Sequence, residues 1–223
     1  MNRMMIALVG VSLLSPLAAQ GQDNPWKLPA NAATMARPQV RAPEVTGPIV
    51  FTEPEFPLGT VINGFMLSTL NGSPIGATTT FGYLLNGVPS PDCAVNPGPP
   101  PQNFVNPPGM EGGAPGGQLT MDFGMDVTRA AFGFAFSCFP PETPSMTATA
   151  IDSGGGTVGT PVTVAATNTG GFLENQLILE PGPMFRRVRV DIIASAACSR
   201  FLLDNLGYPP LVTPVELQSY SIE

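Results

Sequence analysis

Apolar and polar residues alternate along several short stretches of the chain, and two of these stretches carry the clearest pattern. Within residues 127–136, every second position from Phe132 to Phe136 is a phenylalanine. Within residues 187–193, Val and Ile occupy the even positions, while Arg, Asp and the final Ile occupy the odd ones. A period of two with one apolar face predicts half-buried antiparallel strands. We therefore expect the three phenylalanines in the core, facing either the aliphatic side of the second stretch or Phe201 and Leu203.

The same pattern, interrupted by Gly, Pro and Asn, predicts strands over much of the chain. They fall at residues 49–52, 60–67, 78–85, 118–123, 127–136, 146–152, 158–165, 175–180, 186–193 and 201–207. No stretch keeps a 3.6-residue period over three turns, so helix should be scarce. Many short strands at spacings of roughly 10–15 residues are typical of a sandwich. The predicted fold is an all-β, antiparallel jelly-roll β-sandwich of about 8–10 strands with little helix.

The start of the chain has the order of a secretory signal peptide. Arg3 gives a positive beginning, Met4 to Leu17 is nearly all apolar, and small residues allow cleavage after Ala19 or Gly21. The apolar run is too short to anchor the chain across a bilayer. We therefore expect a secreted or extracellular protein, with the periplasm and the cell surface also open.

Proline and glycine divide the remainder into segments. We predict a signal peptide at 1–19, a Pro-rich linker at 20–47, a β-sandwich at 48–208 with a Gly/Pro-rich insertion at 86–117, and a tail at 209–223. Sixteen of the 32 residues of the insertion are Gly or Pro. A loop of this length is functional or disordered. The composition favours disorder or loose packing over a binding loop.

Charge and composition exclude several functions. The formal net charge is −7, and it becomes −8 once Arg3 leaves, because eight positive residues then face sixteen negative ones. Such a chain lacks the basic surface that nucleic acid requires. There is no histidine, so Ser-His-Asp and Cys-His nucleophiles and His-based zinc sites are excluded. We expect no enzymatic activity.

The order of the segments resembles a jelly-roll domain of bacterial exported proteins, including those of the PEP-CTERM type. The matching residues are Leu119–Phe123, Val127–Phe136, Met146–Asp152, Gly171-Phe172, Phe185–Val190 and Phe201–Leu206. The resemblance covers about 118–208 well and 49–85 weakly. No Pro-Glu-Pro signal, apolar helix or Arg cluster follows Asn205, so we expect release or attachment through a partner rather than a membrane anchor. The resemblance implies a fold like that of carbohydrate-binding modules, and a cell-surface polysaccharide or protein as partner.

The resemblance also implies one metal site. Jelly-roll modules of the carbohydrate-binding type often hold a structural calcium ion near their first and last strands, and Glu53 and Asp204 occupy comparable places here. Calcium takes about six to eight oxygen ligands. The alternative is that Asp204 and Asn205 bond to nearby backbone.

Three further groups of side chains are candidates for chemistry. Glu53 and Glu55 could form the carboxylate pair of a glycosidase, although Pro54 lies between them and two solvated acids are the simpler interpretation. Sugar rings stack on exposed aromatic side chains, but outside the phenylalanines the chain holds only Trp26, Tyr83, Tyr208 and Tyr220. The basic cluster consists of Arg186, Arg187, Arg189 and Arg200. It is either a solvated face paired with acids or a site for an anionic glycan.

Three cysteines in an exported chain allow one disulfide. Four predicted strands separate Cys138 from Cys198, which brings both to one end of the sandwich, and Cys93 enters from the same end. Strand direction therefore does not choose the pair. We favour Cys138–Cys198, because adjacent antiparallel strands at 127–136 and 201–207 would place their Cα atoms roughly 5.5–6 Å apart. Cys93, in the long loop, would then be free.

These observations favour a secreted, non-catalytic β-sandwich with a structural, adhesive or binding role. The alternative is a glycan-binding module or a carboxylate-dependent glycosidase. A cluster of exposed aromatic side chains beside acids would separate the two, and the sequence shows none.

Overall fold

The computed structural model describes residues 49–99, 103–138, 141–168 and 172–208 as an all-β domain, and no helix occurs among them. The strands are β1 (Met66–Leu70), β2 (Ser73–Leu85), β3 (Val88–Pro89), β4 (Ala94–Asn96), β5 (Gly109–Gly113), β6 (Gly117–Val127), β7 (Ala130–Phe136), β8 (Ser145–Ile151), β9 (Thr157–Ala165), β10 (Thr167–Asn168), β11 (Leu173–Leu179), β12 (Phe185–Ile193) and β13 (Arg200–Gly207). The count exceeds the predicted 8–10 because β3, β4 and β10 are only two or three residues long.

The strands form two antiparallel sheets. The first sheet has the order β1-β2-β6-β12-β8-β9, with β3 paired to β2, and the second has the order β10-β11-β7-β13-β5-β4. From β5 to β8, and again from β11 to β13, each strand lies in the sheet opposite to the one before it. This alternation joins the sheets into a jelly-roll sandwich. The predicted fold class is confirmed.

The core lies between the two sheets and follows the alternation seen in the sequence. Phe132, Phe134 and Phe136 of β7 are fully buried, and they share one cluster with Val188 and Val190 of β12. Because β7 and β12 belong to different sheets, the two clearest patterns of the sequence supply opposite sides of the core. The prediction that they meet there is confirmed.

The first predicted strands differ from the observed ones. Residues 49–52 form only an isolated bridge, in which Ile49 and Leu206 exchange two backbone hydrogen bonds of 2.8 and 3.0 Å. Phe51 then turns the chain with a φ of +55°, and Gly64 turns it again with a φ of +82°. These turns end regular pairing, so the strand predicted at 60–67 begins only at Met66.

The Gly/Pro-rich insertion packs more closely than its composition predicts. It contains β4 and β5, and β5 pairs with both β4 and β13. All five residues of β5 are buried. Glycine is required at Gly112, because a Cβ atom there would lie 2.8 Å from the Phe201 ring. The expectation of loose packing is wrong for the described part of the insertion. Glycine lets β5 approach its neighbours closely, and a strand buried in this way shows no alternation of apolar and polar side chains.

Several sequence predictions lie outside the described residues. These are the signal peptide, the linker with Trp26, and the tail with Tyr220. Within the described ranges, no helix is long and apolar enough to cross a membrane.

Candidate functional site

The two outer faces of the sandwich differ in what covers them. On the second sheet, residues 103–108 run across β7 and β13, and Val105 packs with Ala135, Phe172 and Leu202. The carbonyl oxygen of Phe104 lies so close to Gly133 that a Cβ atom there would overlap it. The part of this outer face over β7 and β13 is therefore filled by the chain itself, whereas Ile178 of β11 stays 40% exposed.

Two buried carboxylates hold the covering segment in place. Glu174 accepts hydrogen bonds from the backbone N–H groups of Asn103 and Phe104, at 3.1 and 2.9 Å. Asp204 accepts one from the N–H of Asn106 at 2.7 Å, and the Asn205 amide donates to the Phe104 carbonyl at 3.2 Å. Glu174 and Asp204 are both fully buried. Sequence analysis missed Glu174, which lies in a strand with no clear alternation.

The structure brings Glu53 and Asp204 into one buried region. Glu53 is 5% exposed and accepts a hydrogen bond from the Val50 N–H at 3.0 Å through Oε1. Its other oxygen, Oε2, is buried without a hydrogen-bond partner, as is Oδ1 of Asp204. A buried carboxylate oxygen without a partner is costly. A proton or a cation on the pair would remove this cost.

The electrostatics of Asp204 reflect this cost. The pKa of Asp204 is raised to about 7, mainly because the carboxyl group is buried. Hydrogen bonds from the Asn106 and Asn205 N–H groups lower this pKa, whereas the charge of Glu53 raises it further. In the described part of the chain, no three Asp, Glu or Cys side chains gather closely enough to hold a metal ion by themselves. A calcium ion here would need carbonyl, amide or water oxygens beside the two carboxylates.

The solvent side of the first sheet is polar. We call this surface the open face. Its cross-strand rows read Gly82, Thr120, Arg189 and Thr149; then Leu84, Gln118, Asp191, Thr147 and Thr163; then Thr80, Asp122, Arg187 and Ile151. Neighbouring strands lie about 4.8 Å apart, so a row across four strands spans about 14 Å. Most of these side chains are partly exposed, whereas Thr149 is buried.

Hydrogen bonds and ion pairs link the polar side chains of the open face. Arg187 contacts Asp122 at 2.8 Å, and Arg186 contacts the same carboxylate at 3.3 Å. Asp191 accepts from Arg189 at 3.2 Å and from the Gln118 amide at 2.6 Å. Burial opposes ionisation of Asp122, but hydrogen bonds from Arg187, the Gly124 N–H and Arg186 prevail and lower its pKa. The period-two pattern of β12 already placed these charges on one face.

Arg200 does not belong to this group. Its guanidinium contacts Asp92 at 2.7 Å and Glu111 at 3.0 Å, on β13 of the second sheet. The predicted cluster of four arginines is therefore wrong in this member, because β12 and β13 lie in different sheets.

Glu53 and Glu55 serve different places. Glu55 accepts hydrogen bonds from the N–H groups of Asn71 and Gly72, at 3.2 and 2.9 Å, and from the Thr69 hydroxyl at 3.3 Å. The Gly72 hydrogen bond lowers the pKa of Glu55, against a smaller effect of desolvation. Glu55 thus holds the turn between β1 and β2, whereas Glu53 is buried near Asp204.

The described tyrosines offer no sugar platform. Tyr83 is fully buried and donates its hydroxyl to the Gly113 carbonyl at 2.8 Å. Tyr208 packs on Phe123 with ring centroids 4.3 Å apart. Among the large apolar side chains that the described ranges leave exposed, none is aromatic.

A disulfide joins Cys138 and Cys198, with Cα atoms 4.5 Å apart. Cys93 is free, and it is fully buried beside β4 rather than held in a mobile loop. Burial raises the pKa of its thiol. A buried thiol of raised pKa is unreactive.

Comparison with known proteins adds little beyond the architecture. No protein-family model matches the chain, and no curated protein matches it. Similar solved structures include the enzymatically active domain of bacteriophage CBA120 tailspike protein 4, at 14% identity and a TM-score of 0.38, over 66% of this chain and 21% of that one. This chain thus spans about a fifth of the tailspike chain.

Two carbohydrate-binding modules are also similar. One is the non-crystalline cellulose specific module CBM28, at 10% identity and a TM-score of 0.34, over 79% of this chain and all of that one. The other is the CBM22-1 xylan-binding domain of Paenibacillus barcinonensis Xyn10C, at 11% identity and a TM-score of 0.36. The match covers 78% of this chain and 97% of that one. All three TM-scores lie below 0.5, so the likeness carries no argument about what this chain binds.

Proposed function

We propose that this protein is exported and binds a polysaccharide, without catalysis, through the open face of its first sheet. The observation that carries the proposal is the set of cross-strand rows on that face. Gln118, Thr120 and Thr147 lie in the rows beside the charged side chains. Hydroxyl, amide, guanidinium and carboxylate groups are the donors and acceptors that a sugar chain would engage.

The contrast between the two faces supports this choice. The second sheet buries the outer sides of β7 and β13 under residues 103–108, with Phe104 against Gly133. A ligand approaching that side would have to displace hydrogen bonds to Glu174 and Asp204. The open face demands no such displacement.

The arrangement of the acids supports a non-catalytic role. A carboxylate glycosidase needs two carboxyl groups flanking one bond, at about 5 Å or about 6.5–9.5 Å. Here Glu53 is buried with Asp204, whereas Glu55 is committed to a turn. Export is supported by the signal-like start and by the disulfide between Cys138 and Cys198, a bond typical of oxidising compartments.

A glycan array with the mature protein tests the proposal. We expect saturable binding to one class of glycan, weakened by Gln118→Ala on the open face. Gln176→Ala is the matched control, because Gln176 lies on β11 of the second sheet. Failure to bind any glycan, or equal loss in the two variants, would contradict the assignment of the open face.

We also propose that Glu53 and Asp204 bind a structural calcium ion. The support is the pair of buried carboxylate oxygens, Glu53 Oε2 and Asp204 Oδ1, that have no partner among the described residues. The ion would neutralise both charges where solvent cannot reach them. Calcium-dependent thermal stability, set out in the Discussion, is the test.

A further inference from the structure

We propose that the open face selects anionic polysaccharides, whose carboxylate or sulfate groups are held by Arg186, Arg187 and Arg189. This inference rests on the proposed function and names the class of its ligand. Three features of the described residues support it: a bulge, a distribution of charge, and a lack of exposed rings.

A β-bulge concentrates the guanidinium groups. Successive residues of a regular strand point to opposite faces, which would send Arg186 towards the core. The pairing of β12 with β6 instead shifts register between Phe185 and Arg187. Arg186 and Arg187 consequently both reach the carboxylate of Asp122, and their side chains are 43% and 45% exposed. Bulges commonly redirect a side chain in this way.

Arg189 extends the positive group along the strand. It stands two positions after Arg187, a spacing of about 6.6 Å on a strand. Its side chain is 43% exposed, and its ion pair with Asp191 engages Nε. A guanidinium carries five N–H donors in a fork that matches carboxylate and phosphate-like oxyanions. The ion pairs described for these three residues engage one nitrogen of each guanidinium. They orient the group and leave its other N–H donors for a ligand.

The distribution of charge favours an anion at this place. The first sheet holds six charged residues, namely Asp122, Asp126, Arg186, Arg187, Arg189 and Asp191. Three of these residues are positive and three are negative, so the formal net charge of the sheet is zero. The rest of the chain carries the entire net charge of −7. An anionic polymer therefore meets no net negative charge on this sheet, whereas the rest of the chain is negative on balance.

The described aromatic residues argue against a neutral glycan. Tyr83 is buried and Tyr208 packs on Phe123. A neutral sugar chain would find no exposed ring for stacking on the described surface. Ionic and hydrogen-bonding contacts are what the open face offers, and these contacts are screened by salt.

The experiment measures binding of the mature protein to a polyuronate, a sulfated polysaccharide and a neutral dextran, at low and high NaCl. We expect binding to the anionic chains only, weakened by salt, and reduced about ten-fold or more by the double variant Arg187→Gln/Arg189→Gln. Whichever anionic chain binds more tightly identifies the carboxylate or the sulfate as the preferred group. Arg187→Lys/Arg189→Lys keeps the charge without the fork and should bind with intermediate affinity.

Arg129→Gln is the matched control. It removes one positive charge from the Arg129–Glu180 ion pair, away from the open face, and should leave binding within about two-fold of the parent. Thermal melts establish that each variant is folded. Binding of neutral dextran that is unaffected by the double variant would overturn this inference and leave the proposed function standing. Binding of no polysaccharide would overturn both.

Discussion

Phe201 of β13 pairs directly with Phe136 of β7, and this pairing brings Cys198 and Cys138 together. Cys138 follows the end of β7 and Cys198 precedes the start of β13, so two antiparallel neighbours deliver both thiols to one end of the sandwich. The expectation that these strands are neighbours is confirmed. The disulfide spans a sequence separation of 60 residues.

Replacing Cys138 and Cys198 together by Ser should lower the free energy of unfolding by about 4 kcal/mol, because the unfolded chain regains loop entropy. Urea denaturation of the double variant and its parent measures the difference. Cys93→Ala is the control, since it leaves the disulfide intact. Peptide mapping of the non-reduced protein should show Cys138 joined to Cys198, and a peptide joining Cys93 to Cys138 would contradict the pairing.

The raised pKa of Asp204 predicts a pH dependence of stability in metal-free buffer. The folded value of about 7 exceeds the unfolded value of about 3.9, so the folded state retains a proton that the unfolded state has lost. The free energy of unfolding should therefore fall, on the order of a few kcal/mol, as pH rises from about 4 to 7. Asp204→Asn should abolish this fall.

The Asp122→Asn variant is a control, because the contribution of Asp122 to stability depends on pH with the opposite sign. The folded pKa of Asp122 is lowered, so its contribution is present above the unfolded value and is lost as pH falls. Denaturation curves between pH 2 and 8 for both variants compare the two effects, because the contribution of Asp122 is lost only below its unfolded value of about 3.9. A parent protein whose stability rises steadily over this range by an amount dependent on Asp204 would contradict the burial argument.

Calcium should stabilise the protein if Glu53 and Asp204 share the ion. A ligand that binds only the folded state raises the melting temperature. EDTA should therefore lower the melting temperature, and excess Ca²⁺ should restore it. In the Asp204→Asn variant the melting temperature should respond to neither. A parent melt that is unchanged by chelator and by Ca²⁺ would exclude calcium and leave a proton as the partner of the buried carboxylates.

The purified protein should hydrolyse no ester, peptide or glycoside above background. The chain has no histidine, and Glu55 is engaged by the turn at Asn71 and Gly72. Release assays with chromogenic substrates measure this directly. Turnover that disappears in Glu53→Gln or Glu55→Gln would show that one of these carboxylates is catalytic after all.

Gly133→Ala should dislodge the segment at 103–108. A Cβ atom at Gly133 would overlap the Phe104 carbonyl oxygen, so the segment must move away from β7. Amide hydrogen exchange should then accelerate at Asn103, Phe104 and Asn106, whose N–H groups are bound to Glu174 and Asp204. Gly154→Ala, where the nearest atom lies at 3.3 Å, is the control. Unchanged protection of these amides in Gly133→Ala would mean that the segment is held elsewhere.

The sequence predicts the strands whose side chains alternate. Residues 132–136 and 188–192 are recognisable because large apolar side chains recur at every second position, although β7 proves to be buried on both sides rather than half-buried. β5 is not recognisable, since its glycines fit the close approach of Leu203, Phe201 and Asp92 rather than a pattern of polarity. Long-range proximity also escapes prediction. Nothing local to Arg200 indicates that Asp92 and Glu111 will meet it from positions far away in sequence.

In the candidate sites too, local pattern is predictable from the sequence, whereas contacts between distant segments are not. The outward positions of Arg187, Arg189 and Asp191 follow from the period of β12. The bulge that adds Arg186 depends on how β6 pairs with it, which is a property of two strands together. Glu53 is singled out by the resemblance and by its spacing from Glu55, and neither observation predicts that it is buried.

The bridge between Ile49 and Leu206 has a mechanical consequence. The described chain enters and leaves the sandwich side by side, through two backbone hydrogen bonds. A load applied between the preceding and the following segments would act on those two bonds first, and the long strands of both sheets would be spared until they had opened.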